Sequence, residues 1–379
     1  MPTIAFSVGD PSGDVHAAHL IEALKARDPS LRFTGLGGPA MAQAGALLLA
    51  DLTKAAAIGP FDAARHLGRL FEARRLFRQH LADDTPDLIV PVDFGDYNLP
   101  VIAPLAKRHG RPVAYYISPQ LWAWGRWRIR YVRTYVDRMI VFFPFEEALY
   151  RAAGVDVTWV GHPLVDAVPA TGSRDDTIAR LGLNAWRRTV GLLPGSRDDE
   201  VRRHLPLMLE AARGIVWAMP GVQFALVRAP GVAAETVRAA CARTPLVDVT
   251  VVDGAMGEAL RVMDAAMVAS GTATLEAAIG GVPMVVVYRG SWPTYLAAKA
   301  VVRVPHIALV NVLANRRLVP ELIQHEATPS SLAHEVQRLL RDEERANSIR
   351  LGLRAVAQRL GPPGAVGRAA DAVLGMLRR

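Results

Sequence analysis

Two kinds of hydrophobic pattern alternate along this chain. Short apolar runs rich in β-branched residues predict strands at Thr3–Val8, Arg32–Gly35, Asp87–Val92, Pro112–Ile117, Arg138–Phe143 and Val157–Val160. Between them, apolar residues recur every three or four positions and predict helices, one reaching about Ala26 and an amphipathic one over Asp62–Leu81. Over Pro163–Asp176 the pattern lapses into Gly, Pro, Ser and Asp, which reads as a linker. It then restarts, with strands expected at Arg188–Leu193, Val222–Val227, Val247–Val252, Ala265–Val268 and Met284–Tyr288. Beyond about Ser330 the chain reads as helical to its end. Alternation of this kind argues for parallel sheets covered by helices on both faces. The expected fold class is α/β: two doubly wound, Rossmann-like domains facing a cleft, with C-terminal helices. Ligands are then expected beyond the carboxyl ends of the strands.

Composition narrows this picture only a little. A length of 379 residues, 51% of them apolar, suits two domains with a substantial core. The formal charge of +8 is carried almost wholly by arginine, the only lysines being Lys25, Lys54, Lys107 and Lys299. A GC-rich genome accounts for that bias as well as an anionic partner does, so nucleic acid, a membrane surface and a phosphorylated substrate all stay open. Cys241 stands alone, which excludes an intramolecular disulfide or a cysteine metal cluster and fits a reducing cytoplasm. The opening MPTIAFSVGDPSGD does not read as a signal peptide. No apolar run reaches the ~18 residues of a spanning helix, so any membrane contact is expected to be peripheral.

Candidate chemistry sits where strands end. Gly9-Asp10-Pro11-Ser12-Gly13-Asp14 follows the first strand, and Ser12 or Asp14 could cap the next helix. The turn has neither dinucleotide-fingerprint spacing nor a P-loop lysine. Gly35-Leu36-Gly37-Gly38-Pro39 offers open backbone after the second strand. Asp93 follows the apolar run Leu88–Val92, where a carboxylate facing a cleft can act as a general base toward a hydroxyl. Asp96, nearer the next helix, could equally be its cap. An ordinary capped turn explains Asp10 or Asp93 alone; two on adjacent loops favour a catalytic role. His16 and His19 lie one helical turn apart but lack further metal ligands, which favours structural or exposed roles.

The second half carries different chemistry. Gly195 and Ser196 expose backbone amides at a helix start, Arg197 adds a bidentate phosphate donor, and Glu200 follows within the helix. Ser270-Gly271-Thr272 is a second small-residue turn, with Glu276 placed to accept from both hydroxyls of a ribose. Together they favour a nucleotide-phosphate site. No Asp-x-Asp motif occurs, so no metal is expected.

One segment remains, Tyr115–Trp127, YYISPQLWAWGRW, in which Trp122, Trp124 and Trp127 meet a run of arginines beginning at Arg126. Aromatics mixed with arginine suit a surface with an apolar and an anionic neighbour, either a phosphorylated lipid or single-stranded nucleic acid.

Taken in order, GDPSGDVHAA at 9–18, GLGGPAM at 35–41, VDFGDYN at 92–98, YYISPQLWAW at 115–124, PFE at 144–146, VGHPL at 160–164, LLPGSRDDE at 192–200, ASGTATLE at 269–276 and NVLANRRLVPELIQ at 311–324 resemble the lipid-A-disaccharide synthase family. The resemblance spans almost the whole chain. It implies a GT-B fold, with an acceptor-binding domain over 1–168, a UDP-sugar domain over 177–345, and helices over 346–379 that could pack back on the first domain. It implies an inverting hexosyl transfer, without cofactor or metal, from UDP-diacylglucosamine to diacylglucosamine 1-phosphate. It assigns catalysis to Asp93 with Asp10, and the nucleotide to Gly195, Ser196, Arg197, Ser270, Gly271, Thr272, Glu276 and Asn311. The acceptor is then expected on Ser12, Asp96, Asn98, Ser118, Gln120 and Trp124, with Trp122 and Trp124 alternatively serving as buried supports. Peripheral attachment to the cytoplasmic face of the inner membrane is implied, nucleic acid is not, and a homodimer stays open.

The chain departs from the family at Asp10, where the family usually has Glu, and at the less apolar Ala57–Phe61. Membrane-facing candidates are Leu67, Leu70, Phe71 and Phe77 among Arg65, Arg69, Arg74, Arg75 and Arg78, and a second stretch, Arg289–Arg303, with Trp292, Tyr295 and Lys299. For the first, a core-packed helix with solvated arginines is the competing expectation. Competing functions are another GT-B nucleotide-sugar enzyme, such as an epimerase, and a nucleic-acid-binding protein; the latter leaves the Arg197 and Glu276 turns unexplained.

Overall fold

Seven parallel strands, β1 (Thr3–Val8), β2 (Arg32–Gly37), β3 (Leu47–Asp51), β4 (Leu88–Val92), β5 (Ala114–Tyr116), β6 (Arg138–Val141) and β7 (Val157–Trp159), form one sheet in the order β3-β2-β1-β4-β5-β6-β7. They belong to a computed structural model that describes residues 1–53, 63–168, 172–245, 247–290 and 305–377. The expectations for Ala57–Phe61, for Trp292–Arg303 and for the Arg65 side chain lie outside what is described. Most of these strands are apolar on both faces because helices cover both. Ile4, Phe6 and Val8 pack with Leu20, Ile21 and Leu24 of the helix Pro11–Arg27 and with Val373 of the helix Ala365–Leu377. The alternate positions Ala5 and Ile89 face a second cluster containing Phe77, Leu105 and Val132.

Six further parallel strands, β8 (Arg188–Leu193), β9 (Val222–Arg228), β10 (Val249–Asp253), β11 (Ala265–Ala269), β12 (Met284–Tyr288) and β13 (Glu321–Ile323), form a second sheet in the order β10-β9-β8-β11-β12-β13. Contacts divide the chain into Met1–Pro163 with Leu360–Arg379, and Leu164–Arg359. The helix Glu343–Arg359 thus belongs to the second unit, and the chain rejoins the first only at Leu360. There Arg27 pairs with Asp371 at 2.6 Å, and Arg368 Nε donates to the Val160 carbonyl at 2.9 Å.

Strands β3 and β13 escape the sequence pattern. Both are sheet edges: β3, LLLAD, is apolar but has no β-branched residue and is only partly buried, and β13 is only three residues long. The helix Ala63–Asp83 answers the competing expectations residue by residue: Ala73, Phe77 and Leu81 are buried, whereas Leu67 and Phe71 are 56% and 65% exposed.

Candidate active site at two switch points

In each sheet the chain winds outward in one direction and then crosses to the other side of its first strand. That reversal opens a crevice at the carboxyl ends, where open α/β sheets hold ligands. In the first unit it falls between β1 and β4, with Val8 and Val92 in register, so the loops carrying Asp10 and Asp93 leave side by side.

Asp10 is the N-cap of the helix Pro11–Arg27. Its Oδ2 accepts from the Ser12 and Gly13 amides at 3.1 and 3.2 Å and from the Ser12 hydroxyl, while its buried Oδ1 has no hydrogen-bond partner among the described residues. Ser12 is exposed but tied to Asp10. Asp14 does not cap its own helix. It is buried and caps the next one, accepting from Gly38, Ala40 and Met41 amides at 2.8, 2.9 and 3.3 Å.

Asp93 and Phe94 both have left-handed backbones, with φ of 42° and 44°. Non-glycine residues there cost roughly 1–3 kcal/mol each and persist only where the surroundings over-determine them. Here the Asp93 amide donates to the Tyr116 carbonyl at 3.0 Å, and the Asp93 carbonyl accepts from the Tyr115 hydroxyl at 2.5 Å. Asn98 Nδ2 donates to the Asp93, Ser7 and Val92 carbonyls at 3.0, 3.1 and 3.3 Å, and its Oδ1 accepts from the Ser7 hydroxyl at 2.7 Å. Asn98 is fully buried, so it holds the turn and is not a surface for an acceptor. Burial, and after it the charge of Asp10, pushes the Asp93 carboxyl up to about 7, the range a general base needs near neutral pH.

The tryptophan-arginine segment divides. Ser118 is buried, with its Oγ 2.8 Å from the Tyr150 hydroxyl, so it too is structural and not an acceptor contact. Gln120 remains exposed. Trp122 packs edge-on against Phe145 with ring centroids 5.1 Å apart, Trp124 is half-buried beneath Arg128, and Trp127 is exposed. Asp96 is exposed and pairs with Arg128 at 2.6 Å. Glu146, noticed in the sequence only as part of PFE, is buried, accepts from the Phe143 amide at 3.2 Å, and is pushed up by burial to about 8. His16 lies against Phe142, and burial holds it down to about 4, whereas His19 is exposed.

In the second unit the reversal lies between β8 and β11, where Leu193 and Val268 are in register. A pocket of about 250 Å³ opens there. Its walls include Gly195, Ser196, Ser270, Gly271, Thr272 and Glu276, so six sequence-picked residues from two distant turns meet around one space. Gly195 has φ of 125°, and a Cβ there would meet Glu200 Oε2 at 2.5 Å. That oxygen accepts from the Ser196 amide at 2.9 Å, so a side-chain anion occupies one donor of the turn. Glu276 is half-buried, and burial raises its carboxyl.

Two nucleotide candidates stand apart from this pocket. Arg197 is exposed at the N-cap of the helix Asp198–Ala218 and does not line the pocket. Asn311 is fully buried: Nδ2 donates to the Val319 carbonyl at 2.9 Å and to Glu321 at 2.6 Å, and Oδ1 accepts from the Leu318 and Val319 amides at 2.9 and 3.0 Å. With its amide fully engaged, Asn311 fixes the approach to β13 and leaves nothing for a nucleotide. His204 was missed. It is buried, and burial lowers its pKa. Its Nδ1 lies 3.0 Å from the Pro194 carbonyl and its Nε2 accepts from the Arg289 amide at 3.1 Å, tying the first turn to the end of β12. Only its helical position, one turn beyond Glu200, hints at this. Among the described residues no group of three or more His, Cys, Asp or Glu could hold a metal ion, and no helix is long and apolar enough to cross a membrane.

Two parallel sheets with ligand-facing turns at both reversals define a two-domain α/β fold of the GT-B type. The calicheamicin glycosyltransferase CalG4 shares it with a TM-score of 0.63 at 18% identity, covering 100% of this chain and 99% of that one. Acinetobacter baumannii MurG does so with a TM-score of 0.62 at 15% identity, covering 99% and 100%. In sequence, the lipid-A-disaccharide synthetase family model matches residues 4–363. A lipid-A-disaccharide synthase of Geobacter sulfurreducens is 41% identical over 374 residues, 99% of this chain and 97% of the relative. The chain belongs to the lipid-A-disaccharide synthase family, glycosyltransferases of lipid A biosynthesis.

Proposed function

We propose that this enzyme transfers diacylglucosamine from UDP-2,3-diacylglucosamine to 2,3-diacylglucosamine 1-phosphate, yielding the β-1,6-linked disaccharide 1-phosphate and UDP. The acceptor 6-hydroxyl oxygen attacks the anomeric carbon, the bond from that carbon to the diphosphate oxygen breaks, and UDP leaves with the electron pair. Asp93 takes the hydroxyl proton. A single in-line displacement inverts the anomeric centre. The observation that carries this reading is Asp93 itself, held at the β1/β4 reversal with its carboxyl raised to about 7.

The leaving diphosphate is assigned to the amides around Gly195–Ser196 and Ser270–Thr272, and the exposed Arg197, next in sequence to Ser196, is assigned to the same anion. A helix end supplies ~0.3–1 kcal/mol when exposed and up to ~2 when partly buried. A diphosphate oxygen at the Ser196 amide would replace Glu200 there. Glu276 is assigned to the ribose hydroxyls. The acceptor is assigned to the exposed Gln120 and Ser12 and to the Trp124 edge, with Asp10 Oδ1 as the second carboxylate oxygen at the centre; Asp96, engaged by Arg128 at 2.6 Å, is left out of the acceptor assignment. The reaction is read as metal-independent, since no Asp-x-Asp motif is present. Exposed Leu67 and Phe71 beside Arg69, Arg74, Arg75 and Arg78 suit peripheral attachment to the cytoplasmic face of the inner membrane.

The test is an assay of the purified chain with both acylated substrates, following UDP release and the disaccharide by mass. Turnover that survives chelation by EDTA supports metal independence. UDP release with non-acylated acceptors alone would sink the substrate assignment.

A further inference from the structure

We propose that Arg128 is a positioning residue for the Asp93 carboxylate: seated on the Trp124 ring and paired with Asp96, it holds the Asp93–Asp96 turn in place. The inference rests on the reading of Asp93 as the base.

Arg128 is 5% exposed, an unusual place for a guanidinium. Its Nη1 donates to Asp96 Oδ1 at 2.6 Å, but Nε and Nη2 are buried without hydrogen-bond partners among the described residues. Its guanidinium carbon lies 3.9 Å from the Trp124 ring centroid. The Trp124 contact and the charge-assisted bond to Asp96 favour the guanidinium here, and its two buried donors without partners oppose it, so the arrangement gains little stability of its own and is read by what it holds. One glycine makes room for it: a Cβ at Gly125, where φ is 69°, would meet Arg128 Nε at 2.8 Å. A Cβ at Gly95 would collide with Pro119 at 2.4 Å, so that glycine lets the turn pack against the Pro119 loop.

The pairing acts on a strained turn. Asp93 and Phe94 are left-handed, and Asn98, Tyr115 and Tyr116 bind this turn from the sheet side. Asp96 lies three residues on, at the other end of the same turn, with its side chain 71% exposed and Arg128 as its ion-pair partner. Removing the pair frees that end while the inner hydrogen bonds remain. The fold then survives, but the carboxylate shifts relative to the acceptor hydroxyl. A displacement of about 1 Å can cost 10²-fold in rate.

The experiment compares Asp96→Asn, Arg128→Met and the double variant in the full-length chain, by steady-state kinetics and UDP calorimetry, with Asp93→Asn as control. Each single variant is expected to lower kcat about 10–100-fold, with UDP affinity and acceptor KM unchanged. The double variant is expected to be no slower than the slower single, because the two side chains act as one unit. Wild-type kcat in Asp96→Asn, independent losses that multiply in the double variant, or a rise in acceptor KM at unchanged kcat each overturns the proposal. Asp96→Asn alters an exposed side chain, so it keeps the test open should Arg128→Met fail to fold. If Asp93→Asn itself turns over, the base assignment fails; if it is dead while the pair variants run at wild-type rate, only this inference fails.

Discussion

At the β1/β4 reversal the strand-end loop is bound by buried side chains, Asn98, Tyr115 and Arg128, and presents one carboxylate in a strained turn. At the β8/β11 reversal the loops are small residues around an open pocket, and the proposed diphosphate site rests on their backbone amides. The topology is shared, but the physical demands differ. A proton acceptor needs partial burial, a neighbouring charge and a fixed direction, so its supports lie inside. A diphosphate needs several donors at once and room to leave, so side chains there must be short. The same contrast explains why Gly195 matters in one unit and Asn98 in the other.

The contrast can be broken most sharply at Asp93. Asp93→Asn should lower kcat by about 10²–10⁴-fold while UDP affinity, read by calorimetry, stays unchanged. Loss of UDP binding with residual turnover would reverse the roles of the two units. Next, Glu276→Ala should weaken UDP about 10–100-fold, as expected for a charged hydrogen bond worth roughly 1.5–3 kcal/mol, without moving the pH profile. Arg197→Ala, at an exposed position, should weaken UDP less than that, and an unchanged affinity would remove it from the site. The pH profile sharpens the first unit. The base must be ionised, so kcat/KM should rise with pH through about 7. The charge of Asp10 contributes to the raised value, so Asp10→Asn, which can still cap the helix, should move that limb to lower pH.

The last effect is on stability. Asp93 has a folded pKa of about 7 against an ordinary 3.8, so between those values the unfolded chain binds fewer protons and stability falls as pH rises. Asp93→Asn removes that loss. Its gain in Tm over the wild type, followed by calorimetry, should grow from about pH 4 to pH 7 and level off above. A gain independent of pH would mean that the carboxyl is not buried at a cost.

Much of the site was legible from the chain because its residues occupy strand ends, and strand ends follow from hydrophobic period. Asp93 after Leu88–Val92 and Ser270–Glu276 after Ala265–Ala269 needed no more than that. The errors share one cause. Asn98, Ser118 and Asn311 are polar residues in the right loops, and sequence cannot say whether such a residue faces the crevice or turns inward to bind backbone. Arg128 shows the reverse case: a residue that reads as part of a basic surface and is buried on a tryptophan.

The alternating pattern by itself determined the α/β class, most of the strands, the two strand-to-helix turns of the second unit's pocket and the carboxylate after β4, because period and turn chemistry are local properties. Which turns stand side by side, which polar groups are consumed inside, and which charge is raised or lowered depend on neighbours distant in sequence. Only the tertiary structure supplied them. It brought Val8 beside Val92 and Leu193 beside Val268, and by those two registers a list of candidate residues became one pair of neighbouring carboxylate loops and one pocket.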